Sequence, residues 1–422
     1  MSIVLTFGLA GTAVVLGFLA NYMFKRTGIP DIILLIAVGM LLGPGLNYVN
    51  PIYLQNIAGI FVSLALVVIL FDGGLNMDLY KVIKESPKAM LLSLMAFVFT
   101  AVLASIFSHF VFGLDWLRSF LLAVIIGGTS SSIVIPLVNR INVPEKISTI
   151  LSLESAFTDA FVIIIGITLI NLLVLGTGEG AFYTATHGIL SAFSIAIVVG
   201  LMVGVFWLKI LKYIKGEYDD ILTLFIVILF YAFVESVGGN GAIFALVFGL
   251  TLGNGKSIAK IFRMKDHTEA GLIMKKFQSE VSFFIRTFFF VFLGLIFTIG
   301  NPMIFILSII LTLVLLFARY AAVYTVSFND YFLKSNQTIM TLMLPRGLAA
   351  AVLAQLVIIS GVQGVGEFLN IVIAVIIATV LIATIGSFAV LKSFKKSIKV
   401  KEESEEKKLE EQEKLLKRKT GH

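Results

Sequence analysis

The sequence has no cysteine, only eight prolines, two tryptophans and four histidines in 422 residues, and just 14% of it is charged. Without cysteine there is no disulfide framework and no thiolate-held metal centre. The histidines, His109, His187, His267 and His422, fall at helix ends, in loops or in the tail, and their spacing makes no metal cluster. The shortage of charge excludes an ordinary soluble domain, in which about 25% of residues are charged and about 45–50% are apolar. Hydrophobic residues fill the space instead. They make up 59% of the chain, and the mean hydropathy is +1.03. Apolar runs near 20 residues recur from end to end. Runs of that length match helices crossing a hydrocarbon layer about 30 Å thick, whereas a barrel needs short alternating segments. The fold class is therefore all-α and polytopic, with lipid as its surroundings.

The net charge of +7 is not a nucleic-acid footprint. In membrane proteins Lys and Arg gather on cytoplasmic loops and set the topology. Thirteen apolar segments run roughly over 3–24, 30–47, 54–73, 88–112, 116–138, 147–175, 187–211, 220–237, 240–253, 279–299, 302–326, 336–361 and 367–392. The odd-numbered segments exit into loops that carry Lys25 and Arg26; Lys81, Lys84 and Lys88; Arg140 and Lys146; Lys209, Lys212 and Lys215; Lys256, Lys260, Arg263, Lys265, Lys275 and Lys276; Lys334; and then a basic tail. The opposite loops hold only Arg118. This alternation predicts thirteen spans, an outside amino terminus and a cytoplasmic carboxyl terminus in a cell membrane. Lys25 and Arg26 follow the first apolar run, the reverse of a cleavable signal, so that run reads as a retained helix. Residues 396–422 form a charge-dense tail with Glu/Lys pairs at helical spacing, which reads as solvated and cytoplasmic.

Within this apolar frame, "SLESAFTDAFVIII" (152–165) places two acids in the sixth segment. A charge at the bilayer centre costs at least about 2.5–3.5 kcal/mol, and such groups are functional by default. Asp159 lies about 18 Å along its helix, near the midplane. Ser155, four residues earlier, shares its face, while Glu154, five earlier, points elsewhere. The two acids should thus have different neighbours. Asp159 with Ser155 and Thr158 offers hard oxygen ligands suited to a small cation. Glu154 needs a buried counter-ion, which Arg346 in the twelfth segment or Arg319 in the eleventh could supply. Asp72, at the end of the third segment, reads either as a solvated interfacial carboxylate or as a group on the cation's approach. Arg286 reads as a snorkelling side chain, and Glu235 as a solvated or capping acid.

Two segments should be interrupted. In the fifth, "IIGGTSSSIVIP", Gly127 and Gly128 loosen the helix, and the hydroxyls from Thr129 to Ser132 can satisfy freed backbone groups. In the twelfth, "LPRGLAAAV", Pro345 removes a donor and Gly347 weakens the helix around Arg346. The interruptions lie seven segments apart. A six-helix unit repeated at that offset enters the membrane upside down, and inverted repeats with broken helices at matching places mark the binding site of secondary transporters.

With those residues in view, the chain resembles the NhaP-type sodium/proton antiporters of the monovalent cation/proton antiporter superfamily. "RTGIPDIILLIAVGMLLGPGLN" resembles the family's second helix, "LFDGGLNMD" the end of its third, "ESVGGNGAIFALVFGLTLGN" its eighth and ninth, "VSFFIRTFFFVFLGL" its tenth and "LPRGLAAAV" its twelfth. The resemblance implies that Asp159 binds the ion and the proton, and that Ser155 and Thr129 help to ligate the transported cation. It implies that Asp72 lies near the cytoplasmic approach, and that Glu154 with Arg346 and Arg319 forms a buried ionic cluster. It also implies a homodimer in which a six-helix core (about 88–175 and 302–392) moves against a dimerisation part (about 1–80 and 187–299), all within a transmembrane unit of residues 1–395. Two motifs depart from the pattern. The family's Asn-Asp pair is Thr158-Asp159 here, and its Thr-Asp-Pro break is Thr129-Ser130-Ser131, as in potassium/proton and other distant branches.

The expected activity is electroneutral exchange of Na⁺, or of Li⁺ or K⁺, for H⁺ by alternating access at one aspartate. No enzyme activity, cofactor or nucleic-acid partner is expected. A K⁺/H⁺ antiporter is the nearest alternative. A passive channel would want a pore ring or filter loop, and an intramembrane protease a second aspartate or a partner histidine. A membrane sensor or scaffold would leave the buried ionic cluster unexplained.

Overall fold

A computed structural model describes residues 3–46, 52–77, 87–141, 143–175, 181–213, 219–261, 272–297 and 301–390. Lys81, Lys84, Lys215, Arg263, Lys265 and the tail from 396 lie outside the described residues. Among the described residues every regular element is a helix. In chain order these are α1 (Ile3–Thr27), α2 (Asp31–Met40), α3 (Ile52–Asn76), α4 (Pro87–Phe112), α5 (Trp116–Ile125), α6 (Ser131–Ile141), α7 (Glu145–Leu175), α8 (Ala181–Tyr213) and α9 (Asp219–Ser236). They continue with α10 (Gly241–Gly253), α11 (Gly255–Ile261), α12 (Leu272–Ile296), α13 (Pro302–Ser327), α14 (Tyr331–Ser335), α15 (Gln337–Leu342), α16 (Leu348–Ile359) and α17 (Phe368–Val390). Among the described residues seven helices are long and apolar enough to cross a membrane by length and composition, and six further apolar helical stretches of 10–17 residues accompany them.

Local chemistry sets the ends. Asp115, Asn240, Asn301 and Asp330 cap α5, α10, α13 and α14 with a side-chain oxygen that accepts from a backbone N–H in the first turn. Pro302 opens α13, where its missing donor is harmless. Glu235 is a capping acid, accepting from Gly241 N at 2.8 Å. Gly28, at φ +82°, ends α1 in the left-handed region. Pro44 sits in a single π turn, Leu41–Gly45, that extends α2.

The helices sort by packing into two groups. In one, α4 packs on α5, α7 and α13, α6 on α7, and α16 on α5 and α7. In the other, α3 packs on α10 and α12, α2 on α12, α8 on α10, and α1 on α2 and α12. The groups meet where α16 lies on α3 and α12, and where α7 passes α8.

Two close crossings in the second group carry the repeat in atomic detail. A Cβ on Gly39 of α2 would strike Val291 O, one on Gly43 would strike Leu295 O, and one on Gly294 of α12 would strike Ile36 O. At the other crossing, Gly249 of α10 faces Phe71 O, Gly253 faces Leu75 O, and Gly74 of α3 faces Leu246 O. The register is identical: Gly39 and Gly43 match Gly249 and Gly253, and Gly294 matches Gly74. Such small residues let backbones approach where lipid gives no hydrophobic drive between helices. The neighbours Gly73 and Gly74 make a direct test. Gly74→Ala should lower thermal stability by about 1–3 kcal/mol, because a backbone oxygen cannot move aside. Gly73→Ala has open space around its Cβ and should be neutral or stabilising by up to about 1 kcal/mol. Melting of the purified protein reads both, and equal shifts would remove the crossing argument.

Candidate ion-binding site

The site is built where two helices stop. α5 ends at Ile125 and α6 begins at Ser131; α15 ends at Leu342 and α16 begins at Leu348. The two interruptions touch, since Ser130 N donates to Pro345 O at 2.8 Å. Gly347 permits the approach, as a Cβ there would collide with the Ser130 side chain. Gly128 lies close against α7, where a Cβ would come within 2.9 Å of Val162 Cγ2 and 3.1 Å of Thr158 O. Gly127, Gly128, Pro345 and Gly347 thus all lie in the two breaks.

Freed donors are met in the same way in both halves. Thr129 N donates to Thr158 Oγ1 at 3.1 Å, and Arg346 N donates to Thr379 Oγ1 at 3.0 Å. Each break is capped by a threonine from the long helix after the broken pair, α7 in one half and α17 in the other. Thr379 was not apparent from the sequence, where it is one hydroxyl in a long apolar run.

Four half-helix ends converge here. The α5 and α15 ends present carbonyls, and the α6 and α16 ends present N–H groups, so partial charges of both signs lie at membrane depth. The two arginines answer the carbonyl ends: Arg346 Nη1 donates to Gly127 O at 3.3 Å, and Arg319 Nε donates to Met340 O at 3.0 Å.

The two acids divide as their spacing implied. Glu154 is 0% exposed and Arg319 is 1% exposed, and they form a two-bond pair: Nη1 to Oε1 at 2.7 Å and Nη2 to Oε2 at 2.9 Å. Thr129 Oγ1 adds a donor to Glu154 Oε1 at 3.1 Å. Of the two candidate counter-ions, Arg319 is the direct partner. Arg346 lies close enough to interact electrostatically with Glu154 and Asp159, but it reaches a carbonyl instead, and its Nε has no partner.

Asp159 lies apart from that pair. It is partly exposed, and Ser131 Oγ, on the first residue of α6, donates to its Oδ2 at 3.2 Å. Among the described residues no Lys or Arg comes within ion-pair distance of it. The hydroxyls form a cluster that reaches Glu154 through Thr129. Thr129 Oγ1 lies 3.0 Å from Ser155 Oγ and 3.3 Å from Thr158 Oγ1, and all three residues are buried. A carboxylate at a helix N-terminus that carries one serine hydroxyl can hold a single positive charge, either a proton or a cation. Ser131 is the member that sequence reasoning treated only as backbone support. Its signal was its place as the first helical residue after a double-glycine break.

Asp72 is not brought into this cluster. Its Oδ1 accepts from Asn76 Nδ2 at 2.9 Å, one turn onward in α3. Arg286 Nη2 reaches Asp31 Oδ2 on α2 at 3.4 Å. At the first turns of α4 and α7, Lys88 donates to Asp330, and Lys146 Nζ lies 3.7 Å from the same carboxylate. Lys88 holds the Asp330 carboxyl well below the usual range, at about 2.

The pattern of the family described as "Sodium/hydrogen exchanger, transmembrane" matches residues 11–393. The chain belongs to this family. Among its relatives, the Probable Na(+)/H(+) antiporter 2 of Methanocaldococcus jannaschii is 29% identical over 308 residues, covering 70% of each chain. The K(+)/H(+) antiporter NhaP2 of Shewanella baltica is 28% identical over 242 residues, which is 56% of this chain and 41% of that protein. Against this second relative the match therefore spans about two fifths of the length. The solved structure of the sodium proton antiporter MjNhaP1 from Methanocaldococcus jannaschii at pH 8 superposes with a TM-score of 0.74 at 22% identity, covering 93% of this chain and 97% of that one. The all-helical exchanger fold is thus shared well beyond the level of sequence identity.

Proposed function

We propose that the protein exchanges a monovalent cation, Na⁺ first among the candidates, for H⁺ by alternating occupancy of Asp159. One observation carries this reading: of the two midplane acids, Glu154 is fully engaged by Arg319, while Asp159 keeps one serine donor and partial exposure. Removal of water penalises a charged carboxylate, so a proton and a cation can compete for the same oxygens. Ser155, Thr129 and Thr158 supply neutral ligands, and Asp72 stands on the approach along α3. Because Thr158 occupies the place of a second polar partner and carries no charge, one proton leaves per cation and no net charge moves. K⁺ is the second reading, supported by the relatives named for K⁺/H⁺ exchange and by the Thr129-Ser130-Ser131 break.

The α4–α7 and α13–α17 helices act as the moving core, and the group around α3, α10 and α12 acts as the scaffold through which two copies pair. Basic loops place the carboxyl terminus on the cytoplasmic side of the cell membrane. Proteoliposomes loaded with a pH-sensitive dye test the reading. Adding Na⁺, K⁺ or Li⁺ in turn should give saturable proton efflux with one preferred ion and no response to membrane potential. Unsaturable flux would fit a channel instead, and a voltage-dependent current would contradict the one-for-one stoichiometry.

A further inference from the structure

The outer half of the seam between the two helix groups holds a polar atom that the exchange scheme leaves unused. α16 starts at the crossing and packs on α3, α7 and α12. Its Leu353 lies against Gly166 of α7, and its Ile359 lies beside Gly59 of α3. At 100° per residue Gln355 shares the face of Ile359, one turn away, and points about 160° from Leu353. Gln355 therefore faces α3. Along α3 the neighbouring Val62 and Leu66 are buried and apolar. Gln355 is 7% exposed, and its Oε1 is buried without a hydrogen-bond partner. An unpaired acceptor away from water weakens the seal it sits in, and no local packing role requires an amide there.

The inner half of the core is different. α6 has its packing on α7, and Ser132, Ile135, Pro136 and Asn139 form a stripe that is partly or fully exposed. The α6 side of the crossing thus carries accessible groups, whereas α16 packs directly on α3.

We propose that Gln355 is a specificity-determining contact on the outer half of the ion route. When α16 parts from α3, Oε1 becomes a neutral oxygen ligand for a partly dehydrated alkali cation travelling between Asp159 and the outer face. Amide and carbonyl oxygens suit hard cations, and a neutral ligand can pass an ion onward without trapping it. The proposal rests on the exchange reading above.

The test compares wild type with Gln355→Met and Gln355→Asn in proteoliposomes. The apparent KM for Na⁺ and for K⁺ is measured with the cation supplied from each face. Met keeps the length and lacks the amide; Asn keeps the amide. Gln355→Met should raise the outer-face KM roughly fivefold, the loss of about one ligand contact, and compress the Na⁺/K⁺ preference there. The inner-face KM should not move, and melting temperature should hold or rise, because an unpaired acceptor has been removed. Gln355→Asn should recover part of the outer-face affinity. Equal changes at both faces, identical losses in Met and Asn, or a lowered melting temperature with Met would overturn the assignment. A wild type that exchanges no cation rejects the exchange reading and this assignment together. A working wild type whose Gln355→Met variant keeps its outer-face KM rejects the assignment alone.

Discussion

Asp159→Asn should abolish cation-driven proton movement in proteoliposomes while leaving a folded protein. The amide is nearly isosteric with the carboxyl and can still accept from Ser131 Oγ, which now donates at 3.2 Å. It can take up neither a proton at working pH nor the charge of a cation, so both substrates lose their site at once. Stability should shift by no more than about 1 kcal/mol, because no ion pair is broken and one hydrogen bond persists. Asp159→Glu gives the complementary result. The charge remains but the longer side chain carries the oxygens away from Ser131 Oγ, so apparent cation affinity falls before proton binding does. A loss in Asp159→Asn accompanied by a collapsed melting curve would point to a structural carboxylate. Exchange that persists in a well-folded Asp159→Asn protein would place the ion elsewhere.

Several parts of this site were legible in the sequence, and each has a physical reason. The breaks showed because glycine pairs and proline act on the backbone locally: Gly127-Gly128 and Pro345 stop α5 and α15 wherever the rest of the chain lies. The different neighbours of Glu154 and Asp159 showed because five residues on a helix rotate a side chain to another neighbour. The spans showed because lipid demands apolar length.

What could not be read depended on contacts between distant segments. Arg319 and Arg346 were equal candidates for Glu154 by composition. The crossing decides between them, since Arg346 is drawn to the Gly127 carbonyl at the end of α5. The Asp31–Arg286 pair and the Thr379 cap are likewise tertiary. The matched glycine crossings were present as two G-x-x-x-G runs, Gly39–Gly43 and Gly249–Gly253. Only their shared register against Gly294 and Gly74 turns those runs into a repeat.

The opposite result is expected at the second acid. Arg319→Ala should destabilise the protein by about 3–5 kcal/mol, since it leaves the Glu154 carboxylate buried without its counter-ion. It also strips the Met340 carbonyl of its donor at the end of α15. Glu154→Gln should cost less, because the amide still accepts from Thr129 while Arg319 keeps its bond to Met340. The pair acts as a unit, so Arg319→Ala combined with Glu154→Gln should lose less than the sum of the single changes; a surplus of about 0.5–3 kcal/mol is the range for groups in direct contact. Thermal unfolding of the four proteins gives the cycle. Additive losses would mean that the bidentate geometry carries no coupling, and Glu154 would then be free to compete with Asp159 for the ion. A strong coupling fixes Glu154 as the immobile charge of the crossing. Asp159 is then the one midplane carboxylate that can change partners as the core moves.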